Sequence, residues 1–187
     1  MGVSVVLSTP PTFHLSSWAI REFTGSDVSH ASLHFDGDGL ILGHRRWVYE
    51  AVSHGVRLVP FERWEKVNLL RYRLNFVDEF AAYRGLSVSL YELGAEYDYG
   101  GVIKFAFYLL MKKFHLGAAN WMRASPDSLF CSEAVLRVIQ TVIAFASDPE
   151  TFGDLLSWVP DLTSPEDLKR LRRYDAFEVT YANPGNI

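Results

Sequence analysis

The hydrophobic period changes near Phe76, and that change limits the folds open to this chain. Before it, short apolar runs are separated by turn signals. Val3-Ser4-Val5-Val6-Leu7 reads as a strand ended by Thr9-Pro10-Pro11. His30-Ala31-Ser32-Leu33-His34-Phe35 reads as another, stopped by the hairpin signal Asp36-Gly37-Asp38-Gly39. Leu40-Ile41-Leu42, Trp47-Val48-Tyr49-Glu50-Ala51-Val52, Val56-Arg57-Leu58-Val59-Pro60 and Asn68-Leu69-Leu70-Arg71-Tyr72-Arg73-Leu74 continue the series. One helical stretch, 15–23, interrupts it. After Phe76 the spacing turns helical over 77–93, with Val77, Phe80, Ala81, Leu86 and Leu90 as its apolar positions and Gly94 as the stop. Residues 102–114 are apolar almost all round, which predicts a buried helix. Another helix opens near Cys131, with Asp127 or Ser128 as cap, and Ser164-Pro165-Glu166-Asp167 carries the cap, proline and acids of a helix start. A last strand is read over 177–181. Strands and helices largely segregate, so the expected class is α+β.

Composition narrows function more than fold. The 187 residues suit a single domain over 1–187. A net charge of −4 and a pI near 5.8 argue against nucleic acid as a partner. Phe, Trp and Tyr make up 14% of the chain, more than a small core needs, and part of that excess is expected along a groove. Residues 1–20 carry no Lys or Arg and no unbroken apolar stretch, unlike a secretory leader. The apolar run 105–111 is far short of the ~20 residues of a membrane span. A cytoplasmic protein is therefore expected. One cysteine, Cys131, allows no internal disulfide and no cysteine-rich zinc site, and neither metal nor cofactor is expected.

That cysteine carries the functional argument. At a helix start, unpaired backbone N–H groups and the positive end of the dipole stabilise a thiolate. The alternative is a small hydrophobe packed beneath the helix. A thiolate nucleophile needs a base. His30 begins a strand, so its ring projects from the end of a rigid element, and His34 shares its face four residues on as a fallback. His14, His44 and His115 read as surface residues, and His54 as solvated in the Ser53-His54-Gly55 turn. Glu50 interrupts an otherwise apolar strand. It is either an outward-facing surface residue or an inward-facing group that orients the base.

Five short pieces, in order, resemble a known family: Ser29-His30-Ala31-Ser32-Leu33, Val48-Tyr49-Glu50-Ala51, Gly55-Val56-Arg57, Glu96-Tyr97-Asp98-Tyr99-Gly100 and Phe130-Cys131-Ser132-Glu133. Histidine before cysteine is the order of the circularly permuted NlpC/P60 group, the YiiX-like papain-fold amidases and peptidases. The resemblance implies a circularly permuted papain-like (NlpC/P60) fold, an antiparallel sheet or partial barrel packed against helices. It implies Cys131 as nucleophile, His30 as general base and Glu50 as the third member of a triad, with Tyr97 near the substrate. Residues 15–27, 105–122 and those after 145 are less family-like and are expected to shape the groove.

The function expected is a cysteine hydrolase that cleaves an amide through a thioester, in a peptide, a cell-wall peptide or an N-acyl amide. Two alternatives share the residues. One is a lipid acyl hydrolase or acyltransferase of the lecithin:retinol acyltransferase-like type, with lipid or membrane contact. The other is a non-catalytic binding module of the same fold.

Overall fold

In the computed structural model, residues 2–37, 45–97, 128–160 and 163–182 are described. The expected strand 40–42, the connector beyond Tyr97, the buried helix 102–114, and His44 and His115 lie outside them. The first strand, β1 (Val3–Thr9), is buried along its whole length. That is why it reads as an apolar run and not as clean alternation. Val3, Val5 and Leu7 enter the main core, while Val6 joins a small cluster on the opposite face with Val48, Phe61 and Trp64. Ser4 and Ser8 on that second face donate to the side-chain oxygens of Asn75 and Asn68.

β1 pairs with β2 (His30–Asp36) on one side and β5 (Leu69–Phe76) on the other. With β3 (Arg46–Val52), β4 (Gly55–Pro60) and β8 (Phe177–Ala182) they form a six-stranded sheet ordered β4-β3-β2-β1-β5-β8, antiparallel throughout. A short parallel pair, β6 (Glu96–Tyr97) and β7 (Ser128–Leu129), stands apart from it. Helix α1 (Leu15–Thr24) joins β1 to β2, and the single turn α2 (Phe61–Trp64) follows β4. Helices α3 (Glu79–Ser89) and α4 (Cys131–Ile143) contribute to the main core beside the sheet. The short α5 (Pro165–Leu168) starts where expected: Ser164 accepts from the Asp167 N–H, and Pro165 takes the first helical position. No helix among the described residues is long and apolar enough to cross a membrane.

Two expectations are corrected. Of the five expected apolar positions Ala81 and Leu86 are buried and Leu90 packs partly buried against the core, but Val77 and Phe80 are exposed, and α3 buries Ala82, Gly85 and Ser89 besides. Asp78 accepts from the Ala81 N–H as the cap, so the helix begins at Glu79, Val77 lies ahead of it and Phe80 falls in its exposed first turn. Helix α4 is not capped by Ser128, which lies in β7. Its cap position is Phe130, and the Glu133 carboxylate reaches back to accept from the Phe130 N–H.

Helix α4 is fixed by its apolar face. Leu136, Ile139 and Val142 are fully buried, each worth roughly 1.5–3 kcal/mol. Helix α3 approaches α4 through Gly85. A Cβ there would lie 2.4 Å from Val142 Cγ2 and 2.8 Å from the Val142 backbone nitrogen. Gly85→Ala would gain up to about 1 kcal/mol of helix propensity. Overpacking against a backbone that cannot move aside costs about 1–3 kcal/mol. The expected result is a net loss of stability, read as a lower urea midpoint at unchanged slope. A midpoint at or above wild type would mean that the two helices part without cost.

Candidate functional site

Alternation along the strands decides where the polar residues go. Tyr49 and Ala51 of β3 face the main core, so Glu50 points to the other face, which is where His34 and Val48 lie. Glu50 is nevertheless 2% exposed. A carboxylate so buried needs compensation, and it has two cations. His30 Nε2 lies 2.9 Å from Glu50 Oε2. Arg57, directly opposite Glu50 in the β3–β4 register, donates Nε–H and Nη2–H to Oε1 at 3.0 and 2.7 Å. Burial alone would raise the carboxyl's pKa. The hydrogen bonds and charges of His30 and Arg57 override it and hold Glu50 below the ordinary range.

Cys131 reaches the same place from the first turn of α4. It belongs to neither apolar cluster, although it is only 5% exposed. The His30 side chain and the backbone N–H groups of Ala31 and Ser132 each favour its thiolate form. With Nε2 directed at Glu50, the other ring nitrogen of His30 is the one left for sulfur. A protonated imidazole has two N–H donors, one for each anion. The resulting shifts oppose each other as those of an ion pair do. Burial would raise the thiol and lower the imidazole. The contact between them, with the two backbone N–H groups on sulfur and Glu50 on the ring, reverses both, so Cys131 is lowered and His30 raised.

The rest of the Cys131-Ser132-Glu133 motif holds the helix start. Ser132 donates to the Thr163 carbonyl at 2.6 Å, and fully buried Glu133 accepts from Arg137 at 2.7 Å. Sequence reasoning gave neither residue a structural task.

The three side chains line an open cavity of about 510 Å³. Tyr97, in β6, lines it as well, as do His14 and His54. Both of these histidines are exposed, as the sequence reading expects. Tyr97 is the only Phe, Trp or Tyr among the described lining residues. Among the described residues most of the buried aromatics, including Tyr49, Tyr72, Phe76, Phe152 and Phe177, are in the core. His34 does not line the cavity. It packs on Phe61 with ring centroids 4.7 Å apart, and its Nε2 finds no hydrogen-bond partner. Burial, then Arg73 and Arg46, push its pKa down to about 4. It is a neutral histidine away from the thiol, which removes it as the fallback base. Arg57 was missed as the partner of Glu50. The signal was available, because a two-residue turn at Ser53-His54 places residues 50 and 57 opposite each other.

No family model matches the chain, and no curated protein matches it by sequence. Among solved structures it is similar to the crystal structure of the metalloprotein YiiX from Escherichia coli O157:H7. The TM-score is 0.58 at 18% identity, covering 99% of this chain and 98% of that one. The mixed sheet-and-helix fold is therefore YiiX-like.

The pair of opposed shifts makes a prediction that needs no substrate. Thiolate and imidazolium coexist between the lowered value of Cys131 and the raised value of His30. Iodoacetamide should therefore alkylate the native protein well below the ~8.5 at which a free thiol ionises. His30→Ala removes the cation, so its profile should move to higher pH. Wild-type labelling that tracks a short cysteine peptide would return Cys131 to an ordinary buried thiol.

Proposed function

We propose that this chain is a cysteine hydrolase acting on an amide bond, with Cys131 as nucleophile, His30 as general acid and base and Glu50 as the group that orients His30. The observation that carries this reading is the contact of Cys131 and Glu50 with the same imidazole, at the edge of a cavity, in an arrangement that lowers the thiol. The order His30, Glu50, Cys131 along the chain fits a permuted NlpC/P60, papain-like relationship, which the proposal includes.

The steps follow from the positions. The Cys131 thiolate attacks the carbonyl carbon and forms a C–S bond, and the carbonyl π pair moves to oxygen. The Cys131 backbone N–H, in the first turn of α4 where helix geometry supplies no acceptor, is a donor for that oxyanion. As the tetrahedral species collapses, the C–N bond breaks and the His30 imidazolium gives its proton to the leaving amine. Neutral His30 then takes a proton from water, hydroxide adds to the thioester, and the C–S bond breaks to release the acid and the thiolate. Glu50 accepts Nε2–H throughout and stays ionised. Tyr97 contributes to the wall that the substrate meets.

One observation favours the lipid acyl alternative. Phe13 and Leu15, 72% and 69% exposed, flank His14 of the cavity wall, and Val67, 58% exposed, lines the cavity itself. An acyl chain entering from that side would meet apolar surface. A binding module without catalysis would leave the lowered thiol unused.

YiiX is described as a metalloprotein. Among the described residues no three His, Cys, Asp or Glu side chains are grouped so that they could hold a metal ion. At this site the donors are already committed: both N–H groups from Arg57 go to one oxygen of Glu50, and His30 occupies the other. The donor set does not fit a metal, and no step is routed through one.

The test is a screen of the purified protein against peptidoglycan peptides, acyl amides and phospholipids. Cys131→Ala should abolish turnover without unfolding the protein, since Cys131 packs into neither apolar cluster. His30→Ala should cost nearly as much, because groups that act as a unit are not additive. Glu50→Gln should cost less, and His34→Ala little. Turnover that survives Cys131→Ala sinks the reading, and a product confined to phospholipids selects the lipid alternative.

A further inference from the structure

Arg57 has no part in the steps above, yet its side chain is 46% exposed and is the only Lys or Arg among the described residues that line the cavity. Its guanidinium meets a carboxylate that is itself 2% exposed. A surface ion pair is generally worth little, so the question is what this geometry achieves beyond stability.

The answer lies in the allocation of oxygens. Arg57 Nε and Nη2 both donate to Glu50 Oε1, and His30 Nε2 meets Oε2. The terminal torsion of a glutamate is broad, with no deep well to fix the carboxylate plane. Two N–H groups from a rigid guanidinium on one oxygen fix it and leave the second oxygen aimed at the imidazole. The strand register supports the same contact, since Arg57 and Glu50 are direct partners across β3 and β4. The turn between these strands also resists movement. Gly55, at φ +98°, would bring a Cβ to 2.5 Å from the Ala95 carbonyl oxygen, so the hairpin is clamped against the segment leading into β6.

We infer that Arg57 is a positioning residue for the site: it holds Glu50 ionised and in one orientation, so that Glu50 can hold His30 against Cys131. The inference rests on the proposed catalytic roles of those three residues. The groups facing the cluster are His30 from β2, Cys131 from α4, Glu50 from β3, Arg57 from β4 and, around the cavity, His14, His54 and Tyr97. Glu50 is the only carboxylate among the described lining residues, so its titration reports on this site.

The experiment compares wild type, Arg57→Gln and Arg57→Lys by three measurements: the carboxyl carbon NMR titration of Glu50, the pH profile of Cys131 alkylation, and the thermal midpoint. In Arg57→Gln the Glu50 midpoint should move to higher pH, and the alkylation profile should shift toward that of a free peptide. Arg57→Lys restores the charge without the fork. It should return the Glu50 midpoint close to wild type and leave the alkylation profile between the other two. The thermal midpoint follows stability alone and does not account for that split. If Arg57→Gln fails to fold, the Lys variant carries the test through the same intermediate profile. A Glu50 midpoint unmoved by Arg57→Gln, or a Lys variant identical to wild type in alkylation, overturns the inference. Failure of the catalytic reading shows elsewhere, as wild-type alkylation no faster than the peptide's.

Discussion

A carboxylate inside a protein must be met by positive charge and hydrogen bonds, or it takes up a proton. Glu50 is met on both oxygens, by Arg57 and by His30. Much of the site's arrangement follows from that requirement. The hairpin of β3 and β4 brings Arg57 opposite it. The start of β2 brings His30 beside it. With one ring nitrogen committed to Glu50, only the other is open to sulfur, and the direction in which the imidazole can exchange a proton is fixed.

The helix start that carries Cys131 holds a second buried carboxylate. Glu133 is sealed from solvent and links the Phe130 N–H to Arg137 within the first turns of α4. Ser132 ties the same turn to the Thr163 carbonyl. The helix start is thus held by side chains on either side of Cys131, and the apolar face farther along holds the rest against the main core. The thiol can remain outside the apolar clusters because its neighbours supply the anchoring.

The sheet was largely legible in the sequence because its signals are local. Alternation, Pro10-Pro11 and the glycine at 55 mark strand ends within a residue or two. Phe80 shows where periodicity fails. The cap at Asp78 starts the helix at Glu79 and leaves Phe80 in its exposed first turn, and an apolar count does not contain that boundary. Cys131 and His30 stood out because a helix start and a strand start are themselves readable features. Glu50 remained ambiguous because an isolated acid in a strand has the same pattern whether it faces water or a partner. Its role became clear with the pairing to Arg57, which the two-residue turn at Ser53-His54 places opposite it. His34 shared the face of His30 but not its surroundings, since strand spacing says nothing about which side chains arrive from other elements.

The site is built from segments far apart in the chain: β2, the β3–β4 hairpin and the start of α4. None of its three groups is a near neighbour of another in sequence. Contacts of that kind need the sheet and helix to be associated, with the loop-closure entropy that this costs. In the unfolded chain Cys131 has neither helix dipole nor imidazolium beside it and behaves as an ordinary thiol. The lowered thiol therefore emerges with tertiary structure. A nascent or damaged copy carries an ordinary cysteine, and the form held by His30 exists only where the cavity governs what can approach it.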